Sequence, residues 1–226
     1  MALFEWLNKI DTQLFLAING SHNPFFDHFF SLFTSKEIWY PLYLLLIFLI
    51  FQKYRFKGLW VVLFFVVMVV ISDQLSVLIK NLVHRLRPSH EPSLAGLVNL
   101  PNGQGGLYGF LSSHATNSFA LAILIGSLAK SKRLWIAFLL WAVLTCYSRI
   151  YVGVHYPFDV IAGAILGGLI GWGMYVLLRL FDDHFQRKQI AMAGHWKSKY
   201  SRVLLVALIY TTVTLLVVAK LLGKFA

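Results

Sequence analysis

One cysteine occurs in 226 residues. Cys146 sits inside an apolar run, so no internal disulfide can form and no cysteine-built zinc site is available. Acidic side chains are also scarce: nine Asp and Glu against 20 Lys and Arg, a formal net charge of +11. Charged residues of both signs make up only 13% of the chain, whereas 58% is hydrophobic and the mean hydropathy is +0.70. A water-soluble domain cannot hide that much apolar surface, so the bilayer is the solvent this composition calls for. The first 20 residues lack a basic segment followed by a cleavage motif, and no removable signal peptide is expected. The surplus positive charge falls mostly in short loops between apolar runs. It reads as a topology signal rather than a nucleic-acid footprint.

Six apolar stretches approach the roughly 20 residues that a hydrocarbon core requires. They lie near Ile38–Phe51, Leu59–Ile79, Ala115–Ala129, Leu134–Ser148, Val160–Leu178 and Val203–Leu222. Ahead of them Leu3, Trp6, Leu7, Ile10 and Leu14 recur at helical spacing with Glu5, Lys9 and Asp11 among them. That pattern predicts an amphipathic helix lying on the membrane surface. The expected fold is all-α: a bundle of six transmembrane helices with an N-terminal interfacial helix, one domain over residues 1–226. Twelve of the 20 basic residues fall on one side, including Lys53, Arg55, Lys57, Lys130, Arg187, Lys188 and Lys197; the other side holds Lys80, Arg85, Arg87, Arg149, Lys220 and Lys224 among its eight. The richer side is expected to be cytoplasmic. The loops at 80–114 and 149–159 then face outward. Gly163, Gly167 and Gly171 share one face of the fifth span and read as a close helix contact.

Three polar clusters fall on that outer face. Lys80, Arg85, Arg87 and Pro88 follow the second span. Ser112, Ser113, His114, Asn117 and Ser118 open the third. Ser148, Arg149, His155 and Asp159 join the fourth to the fifth. Singly, each has a structural reading: interfacial anchors for Lys80 and Arg87, a helix cap for Ser112, a dipole partner for Asp159. Together they suit phosphoryl transfer, which needs fixed cations and donors around oxygens that gain charge. Arginine offers bidentate geometry, lysine a compact charge, and a helix N-terminus free N–H groups. A histidine one helical turn from a carboxylate can serve as a nucleophile, and a second histidine can protonate the leaving oxygen.

At these residues the sequence resembles the type 2 phosphatidic acid phosphatase superfamily, which also includes bacterial acid phosphatases and vanadium haloperoxidases. Lys80, six residues, then Arg87 and Pro88 match its first motif. Ser112 and His114 match the second, in which Leu111 and Ser113 stand where the family has proline and glycine. Ser148, Arg149, His155 and Asp159 match the third at full spacing. The resemblance implies a metal-independent membrane lipid phosphatase that needs no cofactor. It implies His155 as the nucleophile of a phosphohistidine intermediate, Asp159 as its orienting carboxylate and His114 as the general acid. Lys80, Arg87, Ser112, Ser113 and Arg149 would bind the phosphate. It also implies a lipid phosphate as substrate: undecaprenyl pyrophosphate, phosphatidylglycerophosphate, phosphatidate or a phosphate of lipid A. The Ser-Ser-His-Ala segment is similar to bacterial envelope enzymes and favours lipid A or undecaprenyl pyrophosphate. The expected location is a bacterial inner membrane with the site toward the periplasm, amid membrane lipids and without nucleic acid.

Rival readings are a transporter of anionic lipids, with the cations lining a path, and a vanadate-dependent haloperoxidase, against which six spans argue. Asp73 and Gln74 interrupt the second span; Asp73, on roughly the face of Lys80, reads either as a partner for an active-site cation or as a packing residue. Asn102–Gly106 reads as a connector or as a loop that shapes substrate access.

Overall fold

The computed structural model describes residues 2–186 and 198–223. Arg187, Lys188, Lys197 and Lys224, which entered the charge count above, lie outside the described residues. Those described form eight α-helices and no strand: α1 Ala2–Asn19, α2 Pro24–Thr34, α3 Tyr40–Tyr54, α4 Gly58–Val83, α5 Ser113–Ala129, α6 Lys132–Tyr151, α7 Pro157–Gln186 and α8 Ser198–Leu222. All six apolar stretches fall within α3–α8, apart from the first two residues of the earliest. Among the described residues four segments are long and apolar enough to cross a bilayer: Lys36–Val83, Lys132–Tyr151, Pro157–Asp182 and Ser198–Leu222. The first holds both α3 and α4, parted at Arg55, whose φ of 52° ends the earlier helix.

The bundle is built around α5. Its Ala115, Thr116, Ala120, Leu121, Ala122, Leu124 and Ile125 are all buried, and it packs against α7, α6 and α4. Burial on all sides makes it a core helix. The glycine stripe of α7 explains the closest contact. A Cβ at Gly163 would lie 2.7 Å from the Ser112 carbonyl oxygen, and Cβ atoms at Gly167 and Gly171 would meet the carbonyls of Thr116 and Ala120. Glycines four residues apart thus receive carbonyls four residues apart. The outer faces carry Leu63, Val66 and Val70 of α4, Ile165 and Leu169 of α7, and Val206 and Val217 of α8, all exposed. Apolar side chains turned outward suit a protein solvated by lipid.

Two elements add to the sequence reading. Residues 24–34, left without an element there, form α2. Asn23 Oδ1 accepts the Phe26 N–H at 3.0 Å, Pro24 opens the helix, and Phe29, Phe30 and Phe33 bury its inner face. In α1 the buried stripe is Asp11, Phe15 and Asn19, each 0% exposed. They are spaced four apart, so they share a face. Leu3, Trp6 and Leu14 point away from the protein. The helix is therefore docked by a partly polar stripe. Asn19 fastens its end, donating to the carbonyls of Tyr151 (2.7 Å) and Asn99 (2.9 Å).

Candidate active site

The ends of α4, α5, α6 and α7 that carry the polar motifs meet beneath the 84–112 segment. That segment has short 3-10 turns at Pro88–His90 and Pro92–Leu94 and an isolated antiparallel bridge between Leu86 and Tyr108. After α6 the chain turns through Gly153 at φ 81°, where a Cβ would stand 2.6 Å from the Asn99 carbonyl oxygen. Only glycine tolerates both the left-handed backbone and that approach. The turn delivers His155 just ahead of α7.

Ser112 caps α5: its Oγ accepts the Ala115 N–H at 3.4 Å, its carbonyl accepts the Thr116 N–H at 3.0 Å, and its own N–H donates to the Asp159 carbonyl at 3.0 Å. Helix geometry leaves the N–H groups of Ser113 and His114 without an intrahelical acceptor, which is what an anion at this terminus uses. The Ser113 hydroxyl lies 2.5 Å from Lys80 Nζ and 2.6 Å from Ser76 Oγ. Serine in place of the motif's glycine therefore ties the second motif to α4. Arg87 Nε donates to the Tyr108 carbonyl at 3.1 Å, and the guanidinium lies against Gly105. The 102–106 loop thus backs an arginine of the site. Arg149 Nη1 donates to Thr34 Oγ1 of α2 at 2.8 Å, and its buried Nε has no protein partner. Lys80 feels the charges of Arg87, Asp73, Asp159 and Arg149, so Asp73 acts on it electrostatically rather than through a side-chain bond.

His155 is 1% exposed. Burial, then the charges of Arg149, Arg87 and Lys80, hold its pKa well below the usual 6.5; a backbone hydrogen bond with Gly109 works the other way. A neutral imidazole is the form that can attack phosphorus. Its Nδ1 faces Asp159 Oδ2 across 3.5 Å, longer than a hydrogen bond, and has no closer partner. The same Oδ2 accepts the Tyr156 N–H at 3.0 Å, and Oδ1 accepts from Arg85 at 2.8 Å. Gly109 presses on this carboxylate: a Cβ there would stand 2.9 Å from Oδ2. Arg85 continues outward to Asp11, Nη2 to Oδ2 at 2.6 Å, and lies 4.2 Å above the Tyr156 ring. Neither Asp11 nor this use of Arg85 follows from the motifs. One signal existed: an acidic residue on a helix stripe that also holds Phe15.

His114 sits within electrostatic reach of Arg149, His155, Lys36 and Arg87. With Asn117, Ser118, Thr34 and Lys36 it forms the polar end of a cavity of about 420 Å³. The remainder is apolar, bounded by Tyr43, Leu46 and Ile50 of α3, Phe65 and Val69 of α4, and Trp141 of α6. A cavity with a polar end beside His114 and an apolar remainder among the helices has the character of a site for an amphiphile.

Lys80, Arg87 and Arg149, an open helix terminus, two histidines and a buried carboxylate meet at one end of the bundle, an arrangement suited to phosphoryl transfer in a membrane protein. The chain belongs to the PAP2 superfamily, whose profile matches residues 58–183. It is 43% identical over 188 residues to the lipid A 4'-phosphatase of Bacteroides thetaiotaomicron, covering 81% of this chain and 84% of that protein. It is 36% identical to the lipid A 4'-phosphatase of Porphyromonas gingivalis, covering 76% and 74% respectively. Among solved structures, LpxE of Aquifex aeolicus matches with a TM-score of 0.58 and 28% identity, over 72% of this chain and 93% of that one. The protein is an integral membrane hydrolase of lipid phosphate esters.

Proposed function

We propose that the protein removes the 4'-phosphate of lipid A at the periplasmic face of a bacterial inner membrane, by way of a phosphohistidine. The observation that carries the headgroup assignment is the 43% identity to a lipid A 4'-phosphatase over most of both chains. The cleft from His114 to Tyr43 and Val69 supports a lipid held by its acyl chains with its phosphate at the polar end. In this reading α3–α8 are six spans, and the exposed Leu3, Trp6 and Leu14 of α1 enter the outer interface.

Arg87, Arg149, Lys80 and the N–H groups opening α5 hold the phosphoryl oxygens, with Ser112 shaping that terminus and Ser113 fixing Lys80. Nε2 of His155, the ring nitrogen turned away from Asp159, attacks phosphorus. An N–P bond forms, the P–O bond to the sugar breaks, and His114 gives its proton to the departing oxygen. Asp159 stabilises the imidazolium that results. Water, deprotonated by His114, then attacks phosphorus; the N–P bond breaks and inorganic phosphate leaves.

The test is phosphate release by the detergent-purified protein from bis-phosphorylated lipid A, from lipid A lacking either phosphate, and from undecaprenyl pyrophosphate. Mass spectrometry reads the position lost. Loss of the 4'-phosphate by the wild type but not by His155→Ala supports the proposal. Release from the prenyl substrate alone overturns the headgroup assignment, and release from none overturns the activity.

A further inference from the structure

The helix that carries Asp159 begins without an ordinary cap. Tyr156 occupies the N-cap position of α7, and a phenol ring cannot reach back to the N–H groups of its own first turn. Two acceptors serve the N–H groups around this terminus. Asp159 itself accepts the Tyr156 N–H at 3.0 Å. Asp11, from α1 and 147 residues away in sequence, accepts the Phe158 N–H through Oδ1 at 2.9 Å. The other Asp11 oxygen meets Arg85 at 2.6 Å, and Arg85 meets Asp159 at 2.8 Å. One guanidinium therefore spans two carboxylates, both 0% exposed, and the second of them faces His155.

Packing alone does not account for this arrangement. Burying two carboxylates beside α7, with an arginine that is 22% exposed, costs desolvation that an apolar trio of the same volume avoids. The arrangement does something an apolar trio cannot: it fixes both oxygens of the Asp159 carboxylate and divides the arginine's charge. With Asp11 present, Arg85 is shared. Without it, the whole charge of Arg85 falls on Asp159, drawing Oδ1 outward and weakening what Oδ2 offers to the imidazolium. Phe15 supports the same unit from α1, edge-on to Tyr156 with ring centroids 5.5 Å apart.

Building on the phosphohistidine reading above, we infer that Asp11 and Arg85 are positioning residues of the reaction: α1 reaches into the site through them and holds Asp159 at the imidazole of His155. Neither touches the phosphate. Lys80, Arg87 and Arg149 bind the substrate without them, so their loss slows the chemical step and leaves binding in place.

The experiment compares Asp11→Asn, Arg85→Gln, the double variant and Arg85→Lys with the wild type, using the same lipid substrate and a folded, monodisperse detergent preparation of each. Each single variant is expected to lose at least about tenfold in kcat, the scale of a small misplacement of a reacting group. KM and inhibition by inorganic phosphate should stay within about twofold of the wild type. The double variant should be no slower than the slower single variant, because the two residues act as one unit. Arg85→Lys keeps the charge but cannot span both carboxylates, and it should fall between the wild type and Arg85→Gln; it also carries the test should Asp11→Asn not fold. An unchanged kcat, a loss expressed in KM, or multiplying losses in the double variant would each overturn the inference. Hydrolysis by the wild type with an unaffected Asp11→Asn removes this inference alone, whereas a wild type without activity removes the phosphatase reading and this inference with it.

Discussion

Asp159 turns one oxygen toward His155 Nδ1, at 3.5 Å, and the other toward Arg85, at 2.8 Å. The carboxylate is thus held from behind while its front stays short of a full hydrogen bond to a neutral ring. On the proposed phosphohistidine route the ring becomes cationic, and the gap would then be the distance over which attraction grows.

His155→Ala is expected to lower kcat/KM more than about 10³-fold, the scale of losing a nucleophile. Rapid quenching of the wild type with radiolabelled substrate should trap a phosphoryl label that is stable to alkali and lost in acid. A label of that kind in His155→Ala would point to a different nucleophile.

Arg149 should not be replaceable by lysine. Its Nη1 is committed to Thr34 and its buried Nε is left for another acceptor, and lysine cannot serve both directions. Arg149→Lys is expected to cost about 10²-fold in kcat/KM, the range for losing one fixed donor to a developing charge. Thr34→Val should cost less. Steady-state kinetics on one lipid substrate checks both.

The buried state of His155 makes stability depend on pH. Its folded pKa lies well below 6.5, so the unfolded chain takes up a proton that the folded protein refuses. Stability should be level above about pH 6.5 and fall as the pH drops from there toward the folded value. Each tenfold separation of the two acid constants corresponds to about 1.4 kcal/mol. Thermal midpoints in detergent, compared between about pH 7.5 and pH 5, should fall less steeply for His155→Gln than for the wild type.

Gly167→Ala should destabilise the bundle by about 1–3 kcal/mol, the range for overpacking a close contact, because its methyl would meet the Thr116 carbonyl. Gly168, where an added methyl would meet nothing within 4 Å, provides the control: Gly168→Ala should be neutral or slightly stabilising. Unfolding midpoints of the two variants separate helix contact from helix propensity.

Filling the apolar cleft should discriminate by substrate. Val69→Trp is expected to raise KM for a long-chain lipid about tenfold while leaving kcat/KM for a short soluble phosphate ester within about twofold. Equal losses on both would mean that the cleft is not where the chains lie.

The polar residues that the fold gathers at one end of the bundle were legible as motifs because each is local: Lys80 to Arg87, Ser112 to His114 and Arg149 to Asp159 are short spans with fixed spacing. The apolar runs were legible for the same reason, since a helical span is continuous in sequence. What escaped depends on contacts far apart in sequence. Arg85 meets carboxylates 74 residues away on either side, and no period or composition reports such a pair. The docking side of the N-terminal helix escaped for a related reason. Its apolar residues stood out, yet the side buried in the protein is the stripe of Asp11, Phe15 and Asn19. Helix α2 carried readable start signals in Asn23 and Pro24, but its length of 11 residues falls well short of a span.

The seam between α5 and α7 sets a further condition. Carbonyls of Ser112, Thr116 and Ala120 seat at Gly163, Gly167 and Gly171 like the teeth of a rack, so neither helix can slide by a residue without displacing the whole row. His114 rides one helix and Asp159 the other, and His155 directly precedes the second. Their separation is therefore gauged within the bundle, by backbone against backbone, rather than by the loops above.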